Sequence, residues 1–588
     1  MRSLAECLSE AVGAAFAAEG LDPALGAVRV SDRPDLAPFQ CNGALAAAKA
    51  AKRNPRQLAD SLAKRLEDEP MLEEVSLAGP GFLNLTPSAA VLESMVAELQ
   101  ASEHHGAWRN PHPEKVLLDY GGPNVAKPLH VGHLRSAIIG ESLKRIMRAA
   151  GDDAIGDIHL GDWGLQMGQL IAEMARRSPE LPYFDPQITD GYPKESPVTV
   201  DELAEIYPAA SAACKEDPER MAAAQTATAE LQAGRPGYRA LWQHFVTVSQ
   251  EALKRDYGAL DVSYELWRGE ASVHDRIEPV TEALRAKGLL ELSDGAEVVH
   301  VAREGDKKEI PPLLMIKSNG SVGYGSTDLA TIDERADDGF DRCVYVVDKR
   351  QSEHFVQVFR AAALLGLMPE DRLEHAGFGT MNGKDGRPFK TREGGVLRLA
   401  DLLHMVVSKA EERVAEGDVA KDQSEEERQG VARLIGLAAL KFADLSNPRT
   451  TDYIFDLDRF IAFEGKTGPY LLYAAVRMRS VLRKAVIDPA DAAKQRIAIT
   501  NSSERDLITT LLGYSDAHRN AHQKRMPHIL CEHLFAVAQS FSKFYAHCRI
   551  ADEPSTDLRM SRLALVSATL FQLDHGLMLL GISAPEKM

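Results

Sequence analysis

The sequence predicts a multidomain protein in which an α/β domain lies between a small α+β domain and an all-α bundle. Short apolar runs such as Val116–Leu118 and Cys343–Val347 alternate with helical patterns in the middle of the chain, which is typical of a parallel sheet with helical crossovers. Beyond Leu397 strand patterns vanish, and alanine, leucine and charged residues recur at helical spacing. The length of 588 residues suits three to four domains of about 150 residues each.

The composition is that of an ordinary globular protein, with 45% hydrophobic and 26% charged residues. No apolar run approaches the roughly 18 residues of a membrane span, and the first residues lack the apolar core of a secretory signal. Six cysteines are scattered without a CxxC pair, which predicts reduced thiols in a cytoplasmic protein and argues against structural zinc. The net charge of −18 neither supports nor excludes nucleic-acid binding, because only the surface that contacts the nucleic acid must be basic.

The stretch Asp119–His133 organises the α/β domain. It follows the apolar run Val116–Leu118 as a Gly/Pro-rich turn and leads into a helix. First-turn amides of a helix lack internal partners and lie at the positive end of its dipole, so this turn suits an anionic ligand. His130 and His133 can each offer an N–H to developing negative charge, and Gly132 lets a ligand approach the backbone. The alternative is a pair of surface histidines around a glycine. The apolar face of the helix comprises Leu134, Ile138, Ile139, Leu143, Ile146 and Met147.

Polar side chains accumulate where further strands end. Ligands of parallel sheets bind beyond the carboxyl ends of the strands. Asp119, Tyr324, Asp328 and Gln351 are of the types that a guanidinium needs, namely carboxylate acceptors and flat walls. The alternative for Asp328 is a helix N-cap. These strands are predicted at Glu297–Val301, Leu313–Lys317 and Cys343–Val347, the last followed by a helix over Ser352–Leu365.

A loop at residues 383–395 is dense in glycine and cations, among them Lys384, Lys390 and Arg392. Loops of this kind close over phosphates and stabilise departing pyrophosphate, although a solvated basic turn has the same composition.

The remaining segments complete the domain pattern. In residues 1–110 two helical stretches flank a Pro-broken segment, and Gly79–Leu85 predicts a turn and a short strand in which Phe82 is core and Asn84 satisfies the turn. Residues 104–114 have the composition of a linker, and residues 177–262 are polar and helical. The helices at the two ends of the chain are predicted at Leu4–Ala18, Ala44–Leu66, Leu399–Ala415, Glu426–Leu445, Tyr470–Ala485 and His528–Cys548.

Five segments resemble the arginyl members of the class I aminoacyl-tRNA synthetases, in the same order along nearly the whole chain. The first is PNVAKPLHVGHLRS, at residues 123–136, which resembles the HIGH motif. The others are HLGDWGLQMG (159–168), GKDGRPFKTREGG (383–395), TGPYLLYAAVR (467–477) and LLGISAPEKM (579–588).

This resemblance implies a reaction and a division of the chain. The reaction is the ATP-dependent ligation of L-arginine to tRNA(Arg) through an arginyl-adenylate, with Mg²⁺ accompanying ATP and no metal tightly bound by the protein. Residues 113–400 would form a Rossmann-like catalytic domain with a helical insertion at 177–262. The insertion would brace the acceptor stem. Residues 1–110 would contact the tRNA elbow, and residues 401–588 would contact a tRNA stem and bind the anticodon. We expect a cytoplasmic monomer.

The resemblance also implies roles for the site residues. His130 and His133 would stabilise the transition state beside ATP, with Gly132 against the nucleotide. Asn124 would lie near the α-groups of arginine. Asp119 occupies an acidic position of the family, and the arginine side chain would be held by Tyr324, Asp328 and Gln351.

The loop departs from the KMSKS pattern of the family. Pro388–Arg392 lacks the second lysine, and Thr391 stands in its place. Many arginyl enzymes share this loss and keep a lysine just before HIGH, which is Lys127 here. We therefore expect Lys127 to supply the missing charge, with Lys384, Lys390 and Arg392 as further candidates.

Contacts with tRNA are implied at both ends of the chain. Phe82 and Asn84, with Gln40 and Asn42, are candidates for a flipped D-loop base, since stacking and amide bonds are how single-stranded RNA is read. The resemblance places Tyr470, Ala474 and Met588 near the anticodon. Tyr473 and Leu471 are expected in the bundle core.

Two other functions stay open at this point. The chain could be another HIGH-type ligase or nucleotidyltransferase with a different acceptor, against which the guanidinium-suited side chains argue. It could also be a non-catalytic tRNA-binding paralogue, which would not need an intact His130, Gly132, His133 and Lys127.

Overall fold

The computed structural model describes residues 2–318, 320–387, 397–416 and 423–588. Contacts within the chain divide it into two units, which are described separately below. One unit comprises Met1–Pro111, Val414–Ala438 and Ala462–Met588, and the other comprises His112–Arg413 and Ala439–Ile461.

The N-terminal part is an α+β arrangement around a four-stranded antiparallel sheet of order β1-β2-β4-β3. A reciprocal cap between Ser3 and Glu6 begins the first helix. The single helix expected over Ala44–Leu66 is wrong, because Pro55 cannot continue a helix and Asn54 instead caps a new one. The elements are α1 (Leu4–Ala18), β1 (Val28–Val30), β2 (Phe39–Cys41), α2 (Gly43–Ala51), α3 (Pro55–Leu66), β3 (Leu72–Ala78), β4 (Phe82–Pro87) and α4 (Ala89–Ala101).

The middle of the chain contains the predicted parallel sheet, which confirms the fold class. Its order is β12-β11-β5-β6-β7, with every neighbouring pair parallel. The elements up to the last of the insertion helices are β5 (Lys115–Tyr120), α5 (Val131–Ala150), β6 (Asp153–Leu160), α6 (Leu165–Arg177), α7 (Val200–Glu216), α8 (Pro218–Gln232) and α9 (Pro236–Ala259). The elements that follow are β7 (Leu266–Gly269), α10 (His274–Ala286), β8 (Leu290–Ser293), β9 (Ala296–Val299), β10 (Leu313–Ile316), α11 (Tyr324–Asp337), β11 (Arg342–Val346), α12 (Ser352–Leu365), β12 (Leu373–His375) and β13 (Met381–Asn382).

Two of the strands expected in this parallel sheet lie elsewhere. β9 and β10, which cover the predictions at 297–301 and 313–317, pair with β8 in a separate antiparallel sheet. Asp294 and Gly295, both with positive φ, join β8 to β9 as a two-residue hairpin. A connection this short cannot join parallel strands, so this dipeptide was the signal that sequence reasoning overlooked.

The C-terminal part is helical, as predicted. Tyr453–Ile454 is an exception to the expected absence of strands beyond Leu397, since it pairs with β13. No helix among the described residues is long and apolar enough to cross a membrane. The elements are α13 (Leu399–Glu416), α14 (Glu425–Leu445), β14 (Tyr453–Ile454), α15 (Leu457–Phe460), α16 (Gly468–Lys484), α17 (Pro489–Ala492), α18 (Ser502–Leu512), α19 (Tyr514–Lys524), α20 (His528–His547) and α21 (Thr556–Leu579).

Histidines gather inside the unit that holds both chain termini. The His105 ring lies 5.7 Å from the His575 ring, and Nδ1 of His575 lies 2.7 Å from the Tyr514 hydroxyl. Burial lowers the pKa of His575 to about 4, and burial also lowers the pKa of His533 to about 4. Both imidazoles are therefore neutral in the folded chain at neutral pH.

These histidines make stability depend on pH. Below the ordinary histidine pKa of about 6.5 the unfolded chain binds protons that the folded chain resists, so the free energy of unfolding falls as pH drops from about 6.5 toward 4. We expect the Tm to fall between pH 7 and pH 5, and His533→Asn, which removes one titrating group, to make this fall smaller. Thermal denaturation of both proteins at the two pH values checks this expectation. Equal decreases in Tm would contradict it.

Candidate active site

A cavity of about 540 Å³ lies at the carboxyl ends of β5 and β11, beside the first turn of α5. Its volume is in the range of small-molecule sites. The lining contains five of the residues predicted from sequence, namely Asp119, His130, Gly132, His133 and Gln351. The segment Phe378–Met381 closes another side.

The two histidines of the motif cap their own helix. The Gly132 N–H donates to Nδ1 of His130 at 3.0 Å, and the His130 N–H donates to Nδ1 of His133 at 3.1 Å. Each Nδ1 is thus an acceptor, and a neutral imidazole whose Nδ1 accepts carries its proton on Nε2. The two rings, 4.0 Å apart between centroids, therefore each hold an Nε2–H donor.

Burial keeps both imidazoles neutral. It lowers the pKa of His133 to about 3, with a smaller contribution from the neighbouring His130. The pKa of His130 is also lowered by burial and then by the positive charge of Lys127. Both rings are therefore uncharged, and each can donate one hydrogen bond to an anion through its Nε2–H.

The prediction that free first-turn amides bind an anion is wrong for this helix. The Val131 N–H donates to the Leu397 carbonyl at 3.0 Å, and the His133 N–H donates to the His130 carbonyl at 2.8 Å. The Gly132 amide is used by the cap. The donors that remain are side-chain imidazoles, which sequence reasoning had treated as a supplement to the amides.

Buried side chains of α5 fix the rim of the cavity. Ser136 Oγ accepts the Gly121 N–H at 2.8 Å and donates to the Val346 carbonyl at 2.6 Å, which ties α5 to the ends of two strands. Arg135 pairs with Asp444 at 3.0 Å and donates to the Gly379 carbonyl at 2.7 Å. These contacts hold the strand ends and the 378–381 segment against the same helix.

Asp119 is already engaged by a buried arginine. Nη2 of Arg335, which is 1% exposed, lies 2.6 Å from Asp119 and 2.9 Å from Asp157. Two carboxylates share one guanidinium, so the cluster keeps a formal charge of about −1 if both are ionised. Arg335 lies on α11, the helix that begins with Tyr324, and no sequence motif pointed to it.

The predicted pair Tyr324 and Asp328 lies on the first two turns of α11. Asp328 is not the N-cap, because Gly323 occupies that position. Its carboxylate accepts a 2.6 Å hydrogen bond from Nε2 of His354, and this bond raises the pKa of His354. His354 is one helical turn beyond the cavity-lining Gln351, which brings Asp328 near the cavity, while Tyr324 is 76% exposed.

A second carboxylate near Asp328 was missed. Glu270 follows β7 directly, and its pKa is raised to about 7 by burial and then by the negative charges of Asp162 and Asp328. Burial also raises the pKa of Asp162 to about 6, and Asp162 accepts the Ala271 N–H at 3.0 Å. Asp162, Asp328 and Glu270 thus form a cluster of carboxylates whose negative charges act on one another. A lone glutamate after a glycine gives no motif, so only the fold could reveal this cluster.

The remaining predicted residues lie around the cavity or outside the described ranges. Asn124 is exposed and bridges to Gly161. Lys127 lies before the motif, with its ammonium over the Tyr207 ring. Lys384 pairs with Asp456 at 3.3 Å on the surface. Lys390 and Arg392 lie outside the described residues.

The predicted tRNA contacts in the N-terminal part are partly buried. Asn84 is 3% exposed and accepts a 3.1 Å hydrogen bond from Gln40 across β2 and β4. It is therefore a mid-strand residue and not the turn residue expected. Phe82 begins β4 and is half-buried, and Asn42 precedes α2.

The helix α16 differs from the expectation at one residue. Tyr473 is 42% exposed and not in the core, whereas Leu471 is buried as predicted. Arg477 lies over the rings of Tyr473 and Tyr545, 4.6 and 5.3 Å from their centroids. Ala474 is 4% exposed, so its side chain offers almost no surface. Tyr470 lies 3.4 Å from Ser542 through its hydroxyl, and Met588 is half-buried.

Three family models match the chain. The model described as tRNA synthetases class I (R), catalytic domain, matches residues 95–457. The DALR anticodon binding domain matches residues 471–588, and the arginyl tRNA synthetase N-terminal domain matches residues 2–86. With the parallel sheet and the histidine-capped helix beside its cavity, the fold and site are those of a class I aminoacyl-tRNA synthetase.

Curated relatives narrow this class. The chain is 54% identical to an arginine–tRNA ligase of Hyphomonas neptunium and 51% identical to one of Maricaulis maris, in each case over 100% of both chains. A crystal structure of arginyl-tRNA synthetase from Plasmodium falciparum superposes with a TM-score of 0.82 at 23% identity, covering 100% of both chains, and supports the fold. The chain belongs to the arginyl-tRNA synthetase family.

Proposed function

We propose that the cavity beside α5 activates L-arginine with ATP and that the same chain transfers the arginyl group to tRNA(Arg). An arginine carboxylate oxygen attacks the α-phosphorus, the bond to pyrophosphate breaks, and arginyl-adenylate forms. The terminal adenosine hydroxyl of the tRNA then attacks the arginyl carbonyl, and AMP leaves. No covalent bond to the enzyme is needed, so the protein contributes positioning and charge stabilisation.

The observation that carries this proposal is the pair of fixed Nε2–H donors on His130 and His133. Their Nδ1 atoms are occupied by backbone amides, so the rings cannot turn without breaking the helix cap. Donors held in place before the reaction stabilise charge as it develops on the phosphate without further reorganisation. The cap requires glycine at position 132, since a Cβ there would lie 2.7 Å from the His130 ring.

The carboxylates Asp328 and Glu270, with Tyr324 and Gln351, would hold the arginine side chain. A guanidinium can pair with two carboxylates through its planar fork. Its charge would offset the negative charges of Asp162 and Asp328, which together with burial, the larger cause, raise the pKa of Glu270. Asp119, which pairs with Arg335, would attract the α-ammonium group together with Asn124.

The triphosphate would be met by cations from two segments. Lys127 lies near the motif, and its charge acts on both histidines. Met381, which precedes the basic loop that contains Lys390 and Arg392, lines the cavity. Leu397, which follows that loop, accepts the Val131 N–H of α5. Lys384 would have to leave Asp456 to join them. Mg²⁺ would arrive on the phosphate oxygens, which it prefers as ligands.

The exposed rings of Tyr473 and Tyr545, with Arg477 over both, support a stacking surface for anticodon bases. Tyr470 and Met588 would lie beside this surface. The buried Ala474 would act through packing. Phe82 and Asn84, with Gln40 and Asn42, would face the elbow. The chain would act as a monomer in the cytoplasm.

ATP–pyrophosphate exchange measured with each standard amino acid, with and without tRNA, tests the function. Among the standard amino acids, we expect only arginine to support exchange. Exchange with a different amino acid would indicate another ligase of this class, and an absence of exchange under every condition would indicate a tRNA-binding protein without activity.

A further inference from the structure

The turn that carries Lys127 is held in an unusual backbone conformation. Ala126 has φ +66°, a left-handed conformation that residues with a Cβ rarely adopt, and it is 2% exposed. Its N–H donates to Oγ of the buried Ser249 on α9 at 3.1 Å. Lys127 itself precedes Pro128, which restricts its backbone to extended conformations. The surrounding structure therefore fixes the direction in which the lysine leaves the chain.

The ammonium group of Lys127 lies against an aromatic ring. The Lys127 ammonium lies 4.8 Å from the centroid of the Tyr207 ring on α7. Within the described part of the chain, no carboxylate pairs with Lys127. The insertion thus holds the backbone next to Lys127 through Ser249, and it contacts the ammonium group of Lys127 through Tyr207.

We propose that Tyr207 is a positioning residue that holds the Lys127 ammonium ready for the departing pyrophosphate. This inference rests on the proposed role of Lys127 as the cation that replaces the missing lysine of the loop. It assigns to the helical insertion a part in amino-acid activation.

The chemistry of the ring explains why an aromatic residue suits this position. A carboxylate would hold the lysine as well, but it would cancel the positive charge that the phosphates require, and the ion pair would have to be broken in each cycle. An aromatic face attracts the cation weakly at an exposed site and leaves its charge intact. Phosphate oxygens with several negative charges can then draw the ammonium away at little cost.

Three substitutions of Tyr207, which is only half-buried, test the proposal in ATP–pyrophosphate exchange. Tyr207→Phe keeps the aromatic face and should retain the kcat of the parent. Tyr207→Leu removes the face and should lower kcat roughly two- to fivefold, with the KM for arginine unchanged. Tyr207→Glu should lower kcat further, because a carboxylate neutralises the ammonium.

Tyr238 provides a matched control in the same insertion. Its ring also faces a cation, with Arg235 3.9 Å from the centroid. The charge that acts on His130 and His133 is that of Lys127 and not that of Arg235. Tyr238→Leu should leave kcat unchanged. A similar fall in kcat for Tyr238→Leu and Tyr207→Leu would overturn the proposal in favour of a general loosening of the insertion, which their Tm values would also report.

Lys127→Ala separates failure of this inference from failure of the proposed function. Unchanged kcat in Lys127→Ala would show that this lysine does not serve the reaction. A slow Lys127→Ala enzyme beside a Tyr207→Leu enzyme with parental kcat would overturn the positioning role alone. We expect Tyr207→Leu to add no further loss in the Lys127→Ala background, whereas an equal loss in both backgrounds would show that Tyr207 acts through something other than Lys127.

Discussion

His130→Asn lowers kcat of arginine activation roughly 100- to 1000-fold, which is the loss measured when one fixed donor to a developing negative charge is removed. Asparagine is a favoured N-cap residue, so α5 keeps its first turn while the Nε2–H donor of His130 is lost. The KM for ATP should change little, because this hydrogen bond strengthens only in the transition state. Steady-state ATP–pyrophosphate exchange gives both constants.

The asparagine substitution separates chemistry from folding. His130→Ala loses both the donor and the cap, and should therefore be destabilised by about 1 kcal/mol relative to His130→Asn at a similar kcat. Denaturant unfolding measures this difference. A kcat of His130→Asn within a few fold of the parent would show that the imidazole serves the helix and not the reaction.

Asp328→Asn raises the KM for arginine roughly 10- to 150-fold, the range expected when a hydrogen bond between charged groups is lost. The amide keeps the shape of the carboxylate and can still accept the bond from His354, so the change removes mainly the charge that faces the guanidinium. The KM for ATP should stay near its original value. Steady-state exchange at varied arginine concentration checks both.

Asp333→Asn is the matched control for this substitution. Asp333 lies farther along the same helix and pairs with Arg276 at 2.7 Å, outside the carboxylate cluster. Its substitution should leave the KM for arginine unchanged. If Asp328→Asn behaved like Asp333→Asn, Asp328 would have no part in holding arginine.

Local patterns in the sequence were sufficient to predict the strand and the helix at the centre of the α/β domain. The apolar run at Val116–Leu118 and the periodic face of α5 predicted a strand followed by a buried helix, because both signals depend only on neighbouring residues. The same reasoning placed β9 and β10 in the wrong sheet. There, the apolar runs resemble those of parallel strands, and only the Asp294–Gly295 turn distinguishes a hairpin.

The candidate site was harder to predict from sequence, because the charges and pKa values of its residues depend on contacts between distant segments. Arg335 reaches Asp119 across 216 positions, and Leu397 satisfies the amide of Val131. Glu270 comes near Asp328 only because the tertiary fold brings the residue after β7 close to the first turns of α11. In each case the residue type was visible in the sequence, but its partner was set by the tertiary fold.

A crystal structure with a non-hydrolysable arginyl-adenylate analogue tests the central claim most directly. We expect the guanidinium within hydrogen-bonding distance of Asp328 and Glu270, and a phosphate-mimicking oxygen within hydrogen-bonding distance of Nε2 of His130 or His133. An analogue bound with its guanidinium away from both carboxylates, or with its adenosine away from the first turn of α5, would contradict it.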